Sequence, residues 1–287
     1  MKQRKVKILE NKRLMGRYFK LAFVDGQISK VARPGQFVLV KVDNGITPLL
    51  RKPLGIHKVI NSKIIEILYE VVGEGTEILS NRKPGEQVDV IGPLGNGFEH
   101  KTQDTRHKTQ VLIAGGIGVA PLVFLAQRLE GQGPRAKGQG EKHQSLVLIG
   151  AKTKTEVLCE GDFKKLGCKV MTATDDGTKG HKGLITGLLK SFLLTTKDKR
   201  LTTIYACGPK PMLKEVGRIA VKNGIPCQVL LEEYMACGVG VCLGCAVKVK
   251  TKDEGRRTWD VGRGTREEYK MVCKDGPVFE AKEVVWE

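Results

Sequence analysis

Residues 111–130 read VLIAGGIGVAPLVFLAQRLE. VLIAGG (111–116) is an unbroken apolar run ending in glycine, the pattern of a strand covered on both faces, and VAPLVFLAQRLE (119–130) behind it reads as a helix. SLVLIGA, KVMTAT and TTIYACG repeat the strand pattern further on, with helical segments between them. That alternation calls for a parallel sheet with crossover helices. It predicts an α/β unit over residues 101–225, with GQGPRAKGQGEKHQ (131–144) as a Gly- and Lys-rich loop inside it.

Upstream the rhythm differs. From Val6 to Gly97 short runs such as QFVLVKV (36–42), KIIEILYEVV (63–72) and EQVDVIGP (86–93) are separated by turns such as RPGQ and KPGE. Closely spaced strands without helical periods predict a small antiparallel β-barrel over residues 1–100. Downstream, residues 226–287 carry a crowd of cysteines, and KTKDEGRRTWDVGRGTREEYK (250–270) reads as a charge-mixed inserted surface loop. The expected fold is mixed: barrel, parallel-sheet α/β domain and small cysteine module.

The whole chain has 287 residues, 40% of them apolar and 28% charged, the composition of a globular protein. Its longest weakly polar run, Val111 to Ala126, is interrupted by Gly115, Gly116, Gly118 and Pro121 and is shorter than the roughly 20 residues of a spanning helix. The N-terminal MKQRKVKILENKR is basic but lacks the apolar stretch of a signal peptide, so a cytoplasmic location with no membrane partner is expected. Forty-nine Lys+Arg against 31 Asp+Glu leave +18. These charges are spread from Lys2 to Lys282, aromatics are 5%, and no helix-turn-helix or RNA-binding motif stands out, so a solvated lysine-rich surface is expected rather than nucleic-acid binding.

Of the eight cysteines, Cys159, Cys168, Cys207 and Cys227 are scattered. Cys237, Cys242, Cys245 and Cys273 follow C-x4-C-x2-C…C, the plant-type spacing for a [2Fe-2S] cluster. Four thiolates also suit zinc, although zinc ribbons pair two C-x2-C knuckles and this chain has one. The 27 residues between Cys245 and Cys273 weaken no ligand assignment, because loop length costs little.

AGGIGVAP (114–121) follows a strand and opens a helix, so Gly115, Gly116 and Gly118 suit either a pyrophosphate or close packing. In YACGPKPML (205–213) a strand ends at Cys207 and turns at Gly208-Pro209, at the carboxyl edge where open α/β sheets bind ligands. Asp175 and Asp176 in TDDGTKGHKG (174–183) suit ligand hydroxyls or turn capping. Lys152 and Lys154 suit a 2′-phosphate or plain solvent, which leaves NAD and NADP both open. His57 and the other histidines form no acid–base pair and read as structural, and no catalytic side chain is assigned.

GEGTEILS, IGPLGNGF, GGIGVAPL, TDDGTKGHKG, CGPKPML, LEEYMACGVGVCLGCAVKV and VCKDGPVF, in that order, resemble the electron-transfer subunits of class 1B dihydroorotate dehydrogenase, within the flavoproteins similar to ferredoxin-NADP reductase. The resemblance implies an FAD-binding barrel, an NAD domain and a [2Fe-2S] module. It implies Cys237, Cys242, Cys245 and Cys273 as cluster ligands. It puts Arg51, Lys52, Pro53, Leu54, Gly55, Leu68, Tyr69, Glu70, Gly75 and Thr76 on FAD, and Gly115, Gly116, Gly118, Cys207, Gly208 and Pro209 near NAD.

Where such proteins read Arg-x-aromatic/aliphatic-Ser/Thr, this chain reads Lys52-Pro53-Leu54-Gly55, a point charge in place of a bidentate fork and no hydroxyl. Arg51 stands one residue earlier as an alternative cation. The implied partner is a separate FMN-containing catalytic subunit of pyrimidine biosynthesis, in a heterotetramer, with the cysteine module facing it. Two other readings stand beside this: an NAD(P)H oxidoreductase subunit serving a hydrogenase or ferredoxin, and a zinc-stabilised basic binding module.

Overall fold

The computed structural model describes residues 2–43, 45–99, 109–131, 145–196, 202–252 and 265–286. Residues 132–144 of the loop expected over 131–144 and the centre of the expected insert, 253–264, lie outside the described residues, as does the segment 100–108 where the first two units were expected to meet.

Six strands close an antiparallel barrel: β1 (Lys2–Met15), β2 (Tyr18–Val24), β3 (Phe37–Lys41), β4 (Lys52–Ile60), β5 (Ile64–Glu70) and β6 (Gln87–Leu94), in the order β1-β2-β5-β4-β3-β6. In β6 every second residue is buried, from Val88 to Leu94, as a strand with one face on a core requires. In β1 only Val6 and Ile8 reach the core, between exposed lysines. Two short helices interrupt the barrel, α1 (Gly26–Val31) and α2 (Glu74–Ser80). Neither was expected, because one or two turns carry too few apolar positions to show a 3.6-residue period.

The second sheet is built from β7 (Thr109–Gly115), β8 (Leu146–Ala151), β9 (Lys169–Thr174), β10 (His181–Lys182), β11 (Thr202–Cys207), β12 (Cys227–Leu230) and β15 (Val278–Glu280). Its order is β10-β9-β8-β7-β11-β12-β15, parallel throughout except for β15, which runs antiparallel to β12. Crossovers run through α3 (Val119–Gly131), α4 (Glu160–Lys165), α5 (Ile185–Thr195) and α6 (Lys210–Lys222). Helix α6 buries Leu213, Val216, Ile219 and Ala220, an apolar stripe at helical spacing laid on the sheet. Among the described residues no helix is long and apolar enough to cross a membrane.

The chain beyond Leu230 loops out to the cysteines, makes the hairpin β13 (Ala246–Lys252) with β14 (Thr265–Met271), and returns as β15. The ends of the expected 250–270 loop are therefore strand. Lysines on β13 face glutamates on β14, with Lys248 Nζ 2.7 Å from Glu267, so charge alternation on a solvated hairpin resembles a loop in sequence.

The turn after β7 crosses behind the end of β11 so closely that a Cβ on Gly118 would lie 2.4 Å from the carbonyl oxygen of Cys207. Backbone cannot yield there as a flexible side chain does. Gly118→Ala is expected to cost about 1–3 kcal/mol, seen as a lower urea midpoint, whereas Gly55→Ala, with open space around its Cβ, is expected to stay within about 0.5 kcal/mol of wild type.

Candidate functional site

Three edges of the molecule carry the residues singled out in sequence. The first is the loop from Cys237 to Cys245. Gly238 and Gly240 take φ of +70° and +82°, which turns successive N–H groups toward the sulfurs. The N–H groups of Val239, Val241 and Cys242 donate to Cys237 Sγ at 3.5, 3.4 and 3.4 Å, Gly240 N–H donates to Cys273 Sγ at 3.1 Å, and Cys273 N–H donates to Cys245 Sγ at 3.4 Å. The fourth cysteine thus comes to the first three across the hairpin. These donors, led by Val239, hold the Cys237 thiol down to about 6, while burial and the neighbouring Cys245 push Cys273 up to about 12. Four convergent sulfurs with N–H donors around them fit a thiolate-held iron–sulfur group.

The second edge is the barrel mouth. A Cβ on Gly75 would lie 2.0 Å from Lys52 Cε, so the Lys52 side chain is drawn across the first turn of α2. In that turn the N–H groups of Glu74, Gly75 and Thr76 precede the first intrahelical bond, Glu77 N–H to Gly73 O at 3.0 Å. Cation and orphan donors converge, as an anion cradle needs.

Arg51 is not part of it. Its Nη1 lies 2.7 Å from Asp89 Oδ1 and 3.0 Å from Asp89 O, so β6 already holds the guanidinium. The Thr76 hydroxyl is also engaged: it donates to Gly73 O at 2.9 Å and accepts from Val72 N–H at 3.0 Å, leaving its backbone N–H to face a ligand.

Leu68, Tyr69 and Glu70 alternate as strand residues must. Leu68 belongs to the buried cluster that also holds Ala114, Val119 and Cys207, Glu70 pairs with Arg17 at 2.5 Å, and Tyr69 points into the barrel, where its hydroxyl donates to Asn11 Oδ1 at 3.0 Å. Burial raises the Tyr69 phenol, so its ring is a core group and only its backbone lines the mouth.

The third edge is the carboxyl end of the parallel sheet. It brings Gly115, Gly118 and Cys207-Gly208-Pro209 into contact: a Cβ on Gly115 would meet Pro209 Cδ and Met212 Sδ, both at 2.8 Å. These two glycines serve packing, and Gly116, with φ +53° and open space at its Cβ, is the one that faces outward. Cys207 is fully buried, and burial pushes its thiol well above the ordinary range.

One residue escaped the sequence reading. Glu232 stands just past β12, close enough to Cys207 and Glu70 for their charges to act on one another. One side of it is open to solvent, yet the protein around it, with Glu70, raises its carboxyl above the usual range. Its place directly after a sheet strand was the signal available.

Residues 232–285 match the model of the iron-sulfur cluster binding domain of dihydroorotate dehydrogenase B, and residues 112–218 match the oxidoreductase NAD-binding domain. The dihydroorotate dehydrogenase B (NAD(+)) electron transfer subunit of Desulforamulus reducens is 41% identical over 262 residues, covering 91% of this chain and 89% of its own. That of Caldanaerobacter subterraneus subsp. tengcongensis is 35% identical over 98% of both chains. Among solved structures, an NADH-dependent reduced ferredoxin-NADP oxidoreductase studied for flavin-based electron bifurcation superposes with a TM-score of 0.76 at 28% identity, covering 98% of this chain and 90% of that one. A ferredoxin NADP+ reductase from Neisseria gonorrhoeae shares the fold, with a TM-score of 0.64 at 16% identity over 78% of this chain and 92% of its own. Such identity along nearly the full length of both partners makes this chain a member of the electron transfer subunits of dihydroorotate dehydrogenase B (NAD(+)), an oxidoreductase family.

Proposed function

We propose that the chain relays electrons between NAD(H) and an FMN-containing dihydroorotate dehydrogenase catalytic subunit, through FAD and a [2Fe-2S] cluster held by its own residues, in the pyrimidine biosynthesis of the cytoplasm. A bound flavin exchanges electrons in pairs with a nicotinamide and singly with an iron–sulfur cluster, which is the conversion such a relay needs. The observation that carries the reading is the position of Leu39. On β3 it lies opposite Pro53 of the flavin segment, and its side chain supports Gly238 of the cysteine loop. Neighbouring strands are about 4.8 Å apart, so the proposed flavin wall and cluster wall share one strand.

In this reading Cys237, Cys242, Cys245 and Cys273 hold the iron, and the N–H groups around them offset the thiolate charge. Lys52, with the N–H groups of Glu74, Gly75 and Thr76, receives the FAD pyrophosphate. Pro53, Leu54 and Gly55 line the ring, with the space at Gly55 left unfilled, and Leu68 with the backbone of Tyr69 and Glu70 closes the mouth. Gly116 and the Cys207-Gly208-Pro209 edge receive NAD. The division of labour is 1–100 for FAD, 101–225 for NAD and 226–287 for the cluster, with β12 and β15 fastening the last to the nucleotide sheet.

Tyr234, Val241 and Leu243 are exposed by 95%, 77% and 64%, the last two flanking the exposed Cys242 in the chain, and in this reading they belong to the face for the catalytic subunit. Apolar side chains clustered at one surface point mark contact sites.

Anaerobically prepared, reconstituted protein is expected to show flavin and iron–sulfur absorption, with two iron atoms per chain, and to couple dihydroorotate oxidation to NAD+ reduction once the FMN subunit is added. Colourless zinc protein would end the reading, and NADH-driven ferredoxin reduction without dihydroorotate coupling would favour the ferredoxin-serving alternative. Lys52→Ala is expected to weaken FAD binding tenfold or more, a loss of about 1.4 kcal/mol, read by flavin fluorescence titration, with Lys52→Arg retaining it. The pair Tyr234→Asp and Leu243→Asp is expected to lower affinity for the catalytic subunit at least tenfold while NADH oxidation with a soluble dye stays unchanged.

A further inference from the structure

His57, Cys159 and Asp162 lie apart from the cysteine loop, the Lys52 cradle and the sheet edge. His57 stands on β4 of the barrel, Cys159 caps α4 with φ of +58°, and Asp162 follows within that helix. One side-chain donor atom from each falls within 4.8 Å of the others. We propose that these three residues form a binding site for a zinc-class divalent cation at the junction of the barrel and the nucleotide sheet.

The argument starts at the imidazole. Nδ1 of His57 lies 3.0 Å from the carbonyl oxygen of Ala120, at the start of α3. A carbonyl only accepts, so Nδ1 carries the hydrogen and the lone pair sits on Nε2, the arrangement by which a protein orients a metal-ligating histidine. Among the described residues nothing bonds to Nε2. Burial, with Lys58 beside it, lowers the imidazole to about 4, whereas burial and Asp162 push the Cys159 thiol up to about 12, so a cation bound here has to displace the thiol proton.

Imidazole nitrogen, thiol sulfur and carboxylate oxygen together form the mixed donor set that zinc takes in tetrahedral sites with water as a fourth ligand. Bonds of about 2.0–2.3 Å set donors roughly 3.3–3.7 Å apart, within reach of small side-chain rotations from the observed spacing. Asp162 keeps Lys58, 2.6 Å from Oδ1, on one oxygen and offers the other. On binding, the Cys159 S–H bond breaks, its proton passes to solvent, and an S–metal bond forms with no change in oxidation state. The ion would clip β4 to α4 and, through Ala120, brace the turn at Gly116–Gly118.

The test uses the holoprotein with flavin and cluster in place, equilibrated with Zn2+, desalted, and assayed for metal and by zinc X-ray absorption. The expected result is one zinc per chain with a single sulfur at about 2.3 Å and lighter neighbours closer in. That zinc should vanish in Cys159→Ala and persist in Cys168→Ser, and its affinity should fall at least tenfold in Asp162→Asn. Asp162 sits on the partly exposed helix, so this variant keeps the test decisive if Cys159→Ala fails to fold. Absence of stoichiometric zinc, a four-sulfur shell from metal in the cysteine loop, or zinc retained without the Cys159 thiol would each overturn the proposal.

Discussion

The side chain of Leu39 fills the gap between two backbones with different work. On one side β4 runs antiparallel to β3, with Pro53 opposite Leu39 and Gly55 opposite Phe37. On the other the cysteine loop descends until Gly238 would place a Cβ 2.5 Å from Leu39 Cδ1. A shorter residue at 39 would leave a cavity under the loop at a cost of about 2–5 kcal/mol, and a larger one at 238 would lift the sulfurs away from the barrel. The loop is held from a second direction by Asn96, whose amide donates to the carbonyls of Lys274 and Asp275 at 3.1 and 3.0 Å, and by β15 added to the edge of β12. A redox group seated there rests on two rigid sheets, which is what fixes a transfer distance.

Charge near the barrel mouth is set by local partners. Lys52 crosses the N-terminal turn of α2, and Arg51 is withdrawn by Asp89, so in the proposed flavin site a diphosphate would meet one ammonium and a set of backbone donors. An ammonium gives attraction without the planar register that a guanidinium imposes. Burial, with Glu70 nearby, raises the Glu232 carboxyl above its usual range, so further negative charge beside it is disfavoured. The total of +18 is spread over the lysine-rich exterior and decides none of this.

What could be read in the sequence followed from how local its cause was. The runs at 36–42, 63–72 and 86–93 became β3, β5 and β6 because a largely apolar run in the first two and a two-residue alternation in the third are local patterns, and the spacing of the four cysteines is as local. Strand β1 was hidden by its alternating lysines, and α2 by its shortness. Lys52 over Gly75, Asn96 on the 274–275 carbonyls and His57 beside Cys159 join residues far apart in the chain, and no local period encodes them. Tyr69 adds what the sequence left open: its ring went to the core, so a flavin contact at this position would fall to its backbone.

The four cysteines are not equivalent in burial or in the N–H groups that reach them. Cys245 and Cys273 are buried in the core cluster that also holds Phe37, Leu39 and Leu94 of the barrel, whereas Cys242 is exposed between the exposed Val241 and Leu243. Three N–H groups point at Cys237 and one at Cys273, a concave set of donors made by the left-handed glycines of the loop. Such donors favour added negative charge without moving to receive it, so the protein has little to reorganise when an electron arrives. In the proposed relay the exposed apolar residues Val241 and Leu243 beside Cys242 would, once covered by a partner, exclude water and lower the local dielectric around the outward sulfur. An inward face braced by the barrel and an outward face that is complete only when docked is the geometry of a carrier between two protein-bound redox groups.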